Sequence, residues 1–197
     1  MKIAGVVLLL LCVGMFSASA QEETLISGSI ENGGFGGPVL KFGSFNGEAA
    51  ILVGGRGGWI INHSFIIGGG GYGLANNVMA KVSGPYGERY LNFGYGGLEL
   101  EYVLQSDRLI HFSFQTLIGV GGLGWRGEDV RVGMHASDSD TFFIVEPAVH
   151  ATLNVTLYFR ISGGMSYRFI SGVQSPASSS PDLSGPSGVL TFRFGKF

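Results

Sequence analysis

Residues 51–73 read ILVGGRGGWIINHSFIIGGGGYG, and this stretch decides the fold. Large apolar residues alternate with glycines, as in a β-strand whose two faces meet different surroundings. Ile51, Val53 and Trp59 share one face, whereas Arg56 lies on the opposite face. The stretch therefore predicts a strand with an apolar outer face and an inner face that accommodates a buried cation.

The composition of the chain limits the surroundings in which such strands can fold. Charged residues make up 13% of the 197 residues, about half the share of roughly 25% found in soluble globular proteins. Hydrophobic residues make up 45%, and 35 residues are glycine, without the three-residue period of collagen. A chain this poor in charge is expected to face something other than water over much of its surface. The net charge of −2 argues against a nucleic-acid partner.

The first twenty residues have the features of a cleaved signal peptide. Lys2 precedes an apolar run over residues 3–16, and a small-residue SASA motif ends at Ala20. We expect residues 1–20 to be removed after export through the Sec pathway. Because the only cysteine, Cys12, lies inside this segment, we expect the exported protein to have no disulfide and no thiol.

No later segment is long enough for a transmembrane helix, which needs about 20 consecutive apolar residues. The best candidate, residues 65–75, includes five glycines. Only helices and closed β-barrels satisfy the backbone hydrogen bonds in lipid, so a barrel remains. After a short N-terminal periplasmic segment over residues 21–32, we therefore predict an all-β fold over residues 33–197: a single antiparallel up-and-down transmembrane β-barrel in the bacterial outer membrane. A soluble β-sandwich is the alternative.

Alternating segments separated by turn signals predict eight strands. Because outer-membrane barrels have short periplasmic turns and long outer loops, both termini are expected in the periplasm. The expected strands cover residues 35–45, 48–61, 64–78, 90–103, 109–125, 141–153, 157–169 and 188–197. Short turns are expected at 46–47, 62–63, 104–108 and 154–156, and long connections at 79–89, 126–140 and 171–186.

Glycine has two expected roles in these strands. The interior of an eight-stranded barrel is almost filled by side chains, so inward glycines make room for larger neighbours. In the fourth strand, Leu91 and Phe93 have one parity, whereas Leu98 and Leu100 have the other. A β-bulge at Gly96-Gly97 is expected to restore the phase.

The signal peptide, the eight amphipathic segments and the C-terminal sequence GVLTFRFGKF together resemble the small OmpA-like and OmpX-like outer-membrane barrels. Residues 54–73 are similar to segments of uncharacterised Gram-negative outer-membrane proteins. The resemblance implies that the barrel-assembly machinery recognises the terminal Phe197. Because Phe194 and Phe197 differ in parity, a bulge at Gly195 is expected to bring them into phase.

Ten polar side chains are expected to point into the bore of the barrel. Charges of both signs in a narrow, low-dielectric interior should pair, because an unpaired buried charge costs several kcal/mol. Counting across the short turns places Glu101 opposite His111. The same count places His150 opposite Arg160. The full set comprises Arg56, Glu99, Glu101, His111, Gln115, Glu146, His150, Arg160, Arg168 and Arg193.

We interpret this polar set as a structural plug of salt bridges and hydrogen bonds in a closed lumen. A narrow pore or binding site for a small solute or a proton is the alternative, in which His111 and His150 respond to pH. An eight-stranded bore is, however, too narrow for an open channel.

Two further motifs carry weaker chemical signals. The pattern His-x-Ser at residues 111–113 and 135–137 allows a Ser–His pair, so a lipid-modifying acyl hydrolase is the second alternative. Asp138 and Asp140, with Glu128 and Asp129, could hold Ca²⁺ at an outer loop, but solvated loop charges explain them better. We predict no catalytic site, metal or cofactor. The expected protein is a monomer in outer-membrane lipid, with a structural or surface-interaction role and three polar outer loops.

Overall fold

The computed structural model describes residues 31–81, 88–127 and 140–197, and the expected signal peptide lies outside these ranges. The described chain forms strands joined by turns, with one short helix, α1, at Ser180–Leu183. Among these residues no helix has the length and hydropathy to span a bilayer. The strands are β1 Asn32–Phe45, β2 Glu48–Ile61, β3 Phe65–Leu74, β4 Arg89–Leu104, β5 Ile110–Gly127, β6 Asp140–Asn154, β7 Phe159–Ser171 and β8 Gly185–Lys196.

The eight strands close into one antiparallel barrel in which each strand pairs with its neighbours in sequence. Closure occurs between β1 and β8, from Gly34 beside Lys196 to Phe42 beside Gly188. The predicted eight-stranded up-and-down barrel is therefore confirmed. The long connections lie at one end, here called the mouth, and the ends of β1 and β8 that lead to the termini lie at the other, the base.

Left-handed residues form the tight turns at both ends of the barrel. Asn46 and Gly47 have φ angles of 51° and 84°, and Asn62 and His63 have φ angles of 49° and 54°. Two-residue turns of this kind match the right-handed twist of the strands they join. The predicted two-residue turn at 46–47 is confirmed, whereas the connection predicted at 62–63 also includes Ser64, because Ile61 pairs with Phe65.

The end of β3 differs from the predicted one, since the strand stops at Leu74 rather than at residue 78. Beyond it, the Asn76 side chain accepts a hydrogen bond from the Ile51 amide at 2.7 Å and donates to the Ala49 carbonyl at 2.8 Å. An amide side chain that takes over backbone pairing in this way ends a strand. The chain then turns inward over the mouth, where Val78 is fully buried.

The predicted bulge at Gly96-Gly97 is wrong. The register runs without interruption on both sides of β4, with Gly96 paired to Gly71 and Val120, and Gly97 to Gly70 and Gly119. The large residues on either side of this pair therefore point in opposite directions: Leu91, Phe93 and Tyr95 face the bore, whereas Leu98, Leu100 and Tyr102 face outward. The phase need not be restored, because the bore is itself apolar near the mouth.

Side chains fill the bore in three layers. Next to the mouth lies the outer cluster, in which the Phe93 ring packs against Phe45 and Phe142 with centroids 4.6 and 5.0 Å apart. The middle layer is polar. Next to the base lies the basal cluster of Phe35, Ile60, Ile66 and Val103, against which Phe197 packs. The polar layer is thus enclosed between two apolar ones.

Inward glycines have the packing role that the sequence predicts. A Cβ atom added at Gly70 would lie 2.4 Å from a carboxylate oxygen of Glu99 and 2.7 Å from the Tyr72 hydroxyl. A Cβ added at Gly121 would lie 2.2 Å from the Phe142 ring. All three distances are far below van der Waals contact, so the large residues of the bore depend on these glycines.

Candidate functional site: the polar band of the bore

The polar middle layer, here called the polar band, contains two linked groups of ionised side chains. Its residues are inward-facing and buried, and they come from every strand except β3. That strand contributes only the Tyr72 hydroxyl, at the edge of the band. The band comprises Lys41, Arg56, Glu99, Glu101, Gln115, Glu146, His150, Ser166, Thr191 and Arg193.

Arg56 is at the centre of the first group. It donates through Nε to Glu99 at 2.6 Å and through Nη2 to Glu101 at 2.9 Å. Arg193 donates to the other oxygen of Glu101 at 2.9 Å, and the Tyr72 hydroxyl donates to Glu99 at 2.5 Å. The predicted pairing of buried charges is present, since two carboxylates hold two guanidinium groups.

Lys41 forms the second group, and the sequence analysis missed it. Its ammonium group donates to Glu146 at 2.7 Å and to the Tyr95 hydroxyl at 3.0 Å, and it lies 3.6 Å from the centroid of the Tyr72 ring. Tyr95 and Ser166 each donate to Glu146 at 2.6 Å. The sequence does contain a signal for this residue: Lys41 is a cation between Leu40 and Phe42, in a strand with an apolar outer face.

The two pairs predicted by counting across turns are wrong. Glu101 lies opposite Gln115 rather than His111, and His150 lies opposite Gly164 rather than Arg160. The count assumed turns centred on residues 106 and 155, whereas Leu104 pairs with Phe112 and Asn154 with Arg160, which centres the turns on residues 108 and 157. The partners of Glu101 and His150 each move by four residues, an even number, so the shift does not change which side chains face the bore.

The histidines of the predicted set lie at different levels. His150 bonds to Gln115 within the polar band, with 2.9 Å between Nε2 and Oε1. His111 lies nearer the base, where Nδ1 is 3.2 Å from the Arg108 carbonyl oxygen. Ser113, which also faces inward, is buried and lies opposite His150 in the pairing of β5 with β6.

Two predicted arginines lie outside the band. Arg160 is half-buried at the base, with its guanidinium 4.1 Å from the centroid of the Phe197 ring. Arg168 is fully buried near the mouth, where it donates to Ser187 and packs 4.7 Å from the centroid of the Phe45 ring. Neither forms an ion pair with a described carboxylate.

The terminal Phe197 does not follow a bulge. Gly195 pairs with Phe35 and Phe194 with Gly36 in continuous register, so the expected bulge at Gly195 is wrong. Phe197 keeps inward parity and packs under the bore, with its ring centroid 6.2 Å from that of Phe35. Its role in assembly stays a prediction.

Chain segments at the mouth seal the outer cluster. Residues 172–184, which include α1, form a lid that buries Ala177 and Leu183 completely. The Lys81 amide donates to the Ala177 carbonyl at 2.8 Å, and the Lys81 ammonium forms an ion pair with Asp182 at 2.6 Å. The side-chain amide of Asn46 donates to the Met79 carbonyl at 2.8 Å. These hydrogen bonds and this ion pair hold described segments of the chain over the mouth.

Other candidate sites lie largely outside the described residues. These are the His135–Ser137 pair and three members of the Ca²⁺ candidate, Glu128, Asp129 and Asp138. Asp140, the remaining member, accepts hydrogen bonds from the Gln174 and Ser175 amides and so ties the lid to β6. Within the described ranges, no group of three or more His, Cys, Asp or Glu side chains is arranged to hold a metal.

Comparisons with known proteins agree with this architecture. No family model and no curated protein matches the chain. Among solved structures, Neisserial surface protein A (NspA) is similar, with a TM-score of 0.51 and 13% identity over 86% of this chain and all 100% of that one. Ail, the attachment invasion locus protein of Yersinia pestis, matches with a TM-score of 0.46 and 12% identity over 83% of this chain and 97% of that one. The likeness to NspA confirms, for the fold, the predicted resemblance to small OmpA-like and OmpX-like barrels.

Proposed function

From this fold we propose that the protein resides in a bacterial outer membrane as a closed barrel with a structural or surface-interaction role. The outward face of the barrel is the observation that carries the proposal. Each strand exposes at least one large apolar side chain; Phe114, Val149 and Met165, for example, are 53%, 46% and 67% exposed. An apolar surface that surrounds the molecule far exceeds the patches tolerated on soluble monomers.

The distribution of outward charges supports the same proposal. Within the described strands, outward charged residues occur only at the ends, at Arg126 near the mouth and Lys196 near the base. A cation at the bilayer midplane costs about 2–4 kcal/mol, and this cost falls towards the interfaces. The base, with its short turns and the ends of β1 and β8 that lead to the termini, is the end that we place in the periplasm.

The filled bore supports a closed barrel rather than a pore. The outer cluster and lid block the mouth, and the basal cluster with Phe197 blocks the base. Ionised side chains between them are held by one another rather than by solvent. A role at the outer surface then depends on the lid, whose Gln174, Pro176 and Ser179 are exposed. NspA is itself named a surface protein.

Membrane residence is tested by the gel mobility of the protein from an outer-membrane fraction. A folded barrel that resists detergent migrates differently before and after boiling, whereas a soluble β-sandwich does not. We expect such a shift for the full chain. Recovery in the soluble fraction, without a shift, would contradict the proposal.

Closure is tested by planar-bilayer recordings on the refolded protein. We expect no conductance above that of the protein-free bilayer. Stable conductance steps would favour the small-solute pore instead. The same refolded sample, loaded unboiled on a gel, shows whether it was folded during the recording.

The proposal includes no catalytic activity, and it includes Phe197 as the residue that the barrel-assembly machinery recognises. Deletion of Phe197 is expected to lower the amount of protein in the outer membrane. Release of fatty acid from outer-membrane lipid that disappears in a His135→Ala or Ser137→Ala variant would instead favour the acyl hydrolase.

A further inference from the structure

The backbone pairing of the described strands is interrupted at two places. Between β1 and β8 the ladder omits Gly37 and Pro38, although the register is the same on both sides of the gap. Between β6 and β7 it omits Glu146 and Pro147 in the same way. The other six pairings of neighbouring strands are unbroken. Each interruption therefore coincides with a proline.

The gap between β1 and β8 is a missing hydrogen bond. Successive residues of a strand bond to opposite neighbours. The Gly195 amide donates to the Tyr158 carbonyl of the chain leading into β7 at 3.0 Å, so even-numbered residues of β8 bond towards β1. The residue opposite Phe192 is Pro38, which has no N–H group to donate. The Phe192 carbonyl thus receives no hydrogen bond from Pro38.

The gap between β6 and β7 has the same origin. The Asn154 amide of β6 donates to the Leu109 carbonyl, next to β5, at 2.9 Å, so odd-numbered residues of β6 bond towards β7. The register places Pro147 opposite Tyr167, and the proline again lacks the donor. The two weakened lines of pairing, here called the seams, are the two outer edges of β7 and β8.

The strands between the seams contribute little apolar surface to the bore. Among the residues of β7 and β8, only Ile170 and Val189 are both buried and apolar. Regions with few buried apolar contacts open locally at a lower free energy than the rest of a fold. The other buried side chains of these strands are polar or charged: Ser162, Ser166, Arg168, Ser187, Thr191 and Arg193.

The ion pairs of the polar band lie mostly within the other six strands. Lys41 and Glu146 join β1 to β6, and Arg56 joins β2 to the carboxylates of β4. Only the pair of Arg193 with Glu101 ties β8 to these strands within the described bore. Separation of β7 and β8 from the other strands would therefore break one of these ion pairs and keep the rest.

We propose that β7, the lid and β8, here called the last hairpin, form one unit that opens away from β1–β6 while its own two strands stay paired. Both seams open together, since each strand of the unit borders one of them. Among partial openings of the barrel this one requires the least free energy, because each seam lacks a hydrogen bond and the unit buries few apolar side chains.

The lid is the clasp that holds the last hairpin closed at the mouth. The Asn46 amide, in the turn between β1 and β2, donates to the Asp182 carbonyl of the lid at 3.2 Å. The side chain of Asn46 accepts a hydrogen bond from the Ser178 hydroxyl at 2.6 Å. The lid therefore connects the outer surface of the protein to the opening of the barrel.

Hydrogen exchange measured by NMR on the refolded protein in detergent micelles tests this opening residue by residue. The Leu190 amide bonds across one seam and the Met165 amide across the other. Their sequence neighbours, Thr191 and Ser166, bond within the hairpin. We expect several-fold lower protection factors at the two seam amides than at these neighbours. Equal protection of neighbouring amides would overturn the proposal.

Pro147→Ala tests whether the two seams open as one unit. It restores the missing donor, and one hydrogen bond should slow exchange through this opening by about two- to tenfold. Because the seams open together, the slowing should be equal at Met165 and at Leu190, on the opposite seam. Slowing at Met165 alone, or at neither amide, would refute a common opening.

Two further variants separate the seam from the clasp. Pro176→Ala is the matched control, because it removes an exposed lid proline without restoring a ladder donor, and it should slow neither seam amide. Asn46→Gly keeps the left-handed turn but removes the clasping side chain, and should speed exchange at both seams. Slowing in the first variant, or unchanged exchange in the second, would contradict these roles. Heat-modifiable mobility shows independently that each barrel has folded.

Discussion

The outer cluster and the polar band fill the same bore on the same strands, yet they are held together by different forces. Near the mouth, Phe45, Phe93 and Phe142 pack ring against ring. In the middle, Arg56 and Glu101 are buried to the same degree but are held by ion pairs. Both layers close the bore. We expect the outer cluster to tolerate changes in side-chain shape, whereas the polar band depends on every member of its ion pairs.

The difference follows from the cost of desolvation. Trimming a buried apolar side chain loses its packing, whereas removing one member of a buried ion pair leaves a charge without compensation. The polar band should therefore respond more strongly to a single substitution than the outer cluster does.

The largest effect is expected for Glu101→Leu. Glu101 is the only carboxylate partner of Arg193 in the described chain, and it shares Arg56 with Glu99. Its loss should destabilise the barrel by about 3–5 kcal/mol, as measured by urea-induced unfolding in detergent micelles.

The double variant Glu101→Leu/Arg193→Met is the control, because it removes the stranded cation together with its carboxylate. It should recover a large part of the lost stability. If the single variant were as stable as wild type, the polar band would contribute little to the fold.

Gly70→Ala is expected to have the next largest effect. The added methyl group would collide with Glu99 and Tyr72, and overpacking of this kind costs about 1–3 kcal/mol. Gly71→Ala is the matched control on the outward face, where the nearest atom to the new Cβ is 4.0 Å away. Equal stability losses in the two variants would mean that room inside the bore is not what Gly70 provides.

Phe93→Leu should lower the stability of the barrel less than Glu101→Leu, which leaves a charge without a partner, and less than Gly70→Ala, which overfills the bore. Leucine keeps most of the apolar contact in the outer cluster but loses the ring stacking on Phe142, which contributes about 0.5–1.5 kcal/mol. The same unfolding measurement checks this value. A loss as large as that of Glu101→Leu would remove the contrast between the two layers.

The smallest effect is expected for Lys81→Gln at the lid. Lys81 and the Ser179 hydroxyl hold the pKa of Asp182 below its ordinary value of 3.8. The ion pair therefore adds stability above that pH, and this contribution is lost as the pH falls through the folded pKa. For a largely exposed pair it amounts to less than about 1 kcal/mol.

An NMR titration of the Asp182 carboxyl group provides the measurement. Lys81→Gln should raise the pKa of Asp182 towards 3.8, with little change in global stability. An unchanged titration would show that Lys81 does not hold the lid through this pair.

The sequence by itself determined the barrel and the direction of its side chains. Alternation with a period of two assigns each residue of a strand to one of two faces, so the inward orientation of Arg56, Glu99, Glu101 and Glu146 could be read directly. The same alternation, followed without the supposed bulge in β4, would have placed Phe93 in the bore, and applied to β1 it would have revealed Lys41.

Only the tertiary structure decided which inward residues meet. Partners across the bore, such as Lys41 and Glu146, lie on β1 and β6, which do not pair, and their contact depends on the stagger of the whole barrel. Pairing across turns depends on where each turn is centred, and a shift there moved Glu101 from His111 to Gln115. Parity is a local property of the strand, whereas register is set by the closed sheet as a whole.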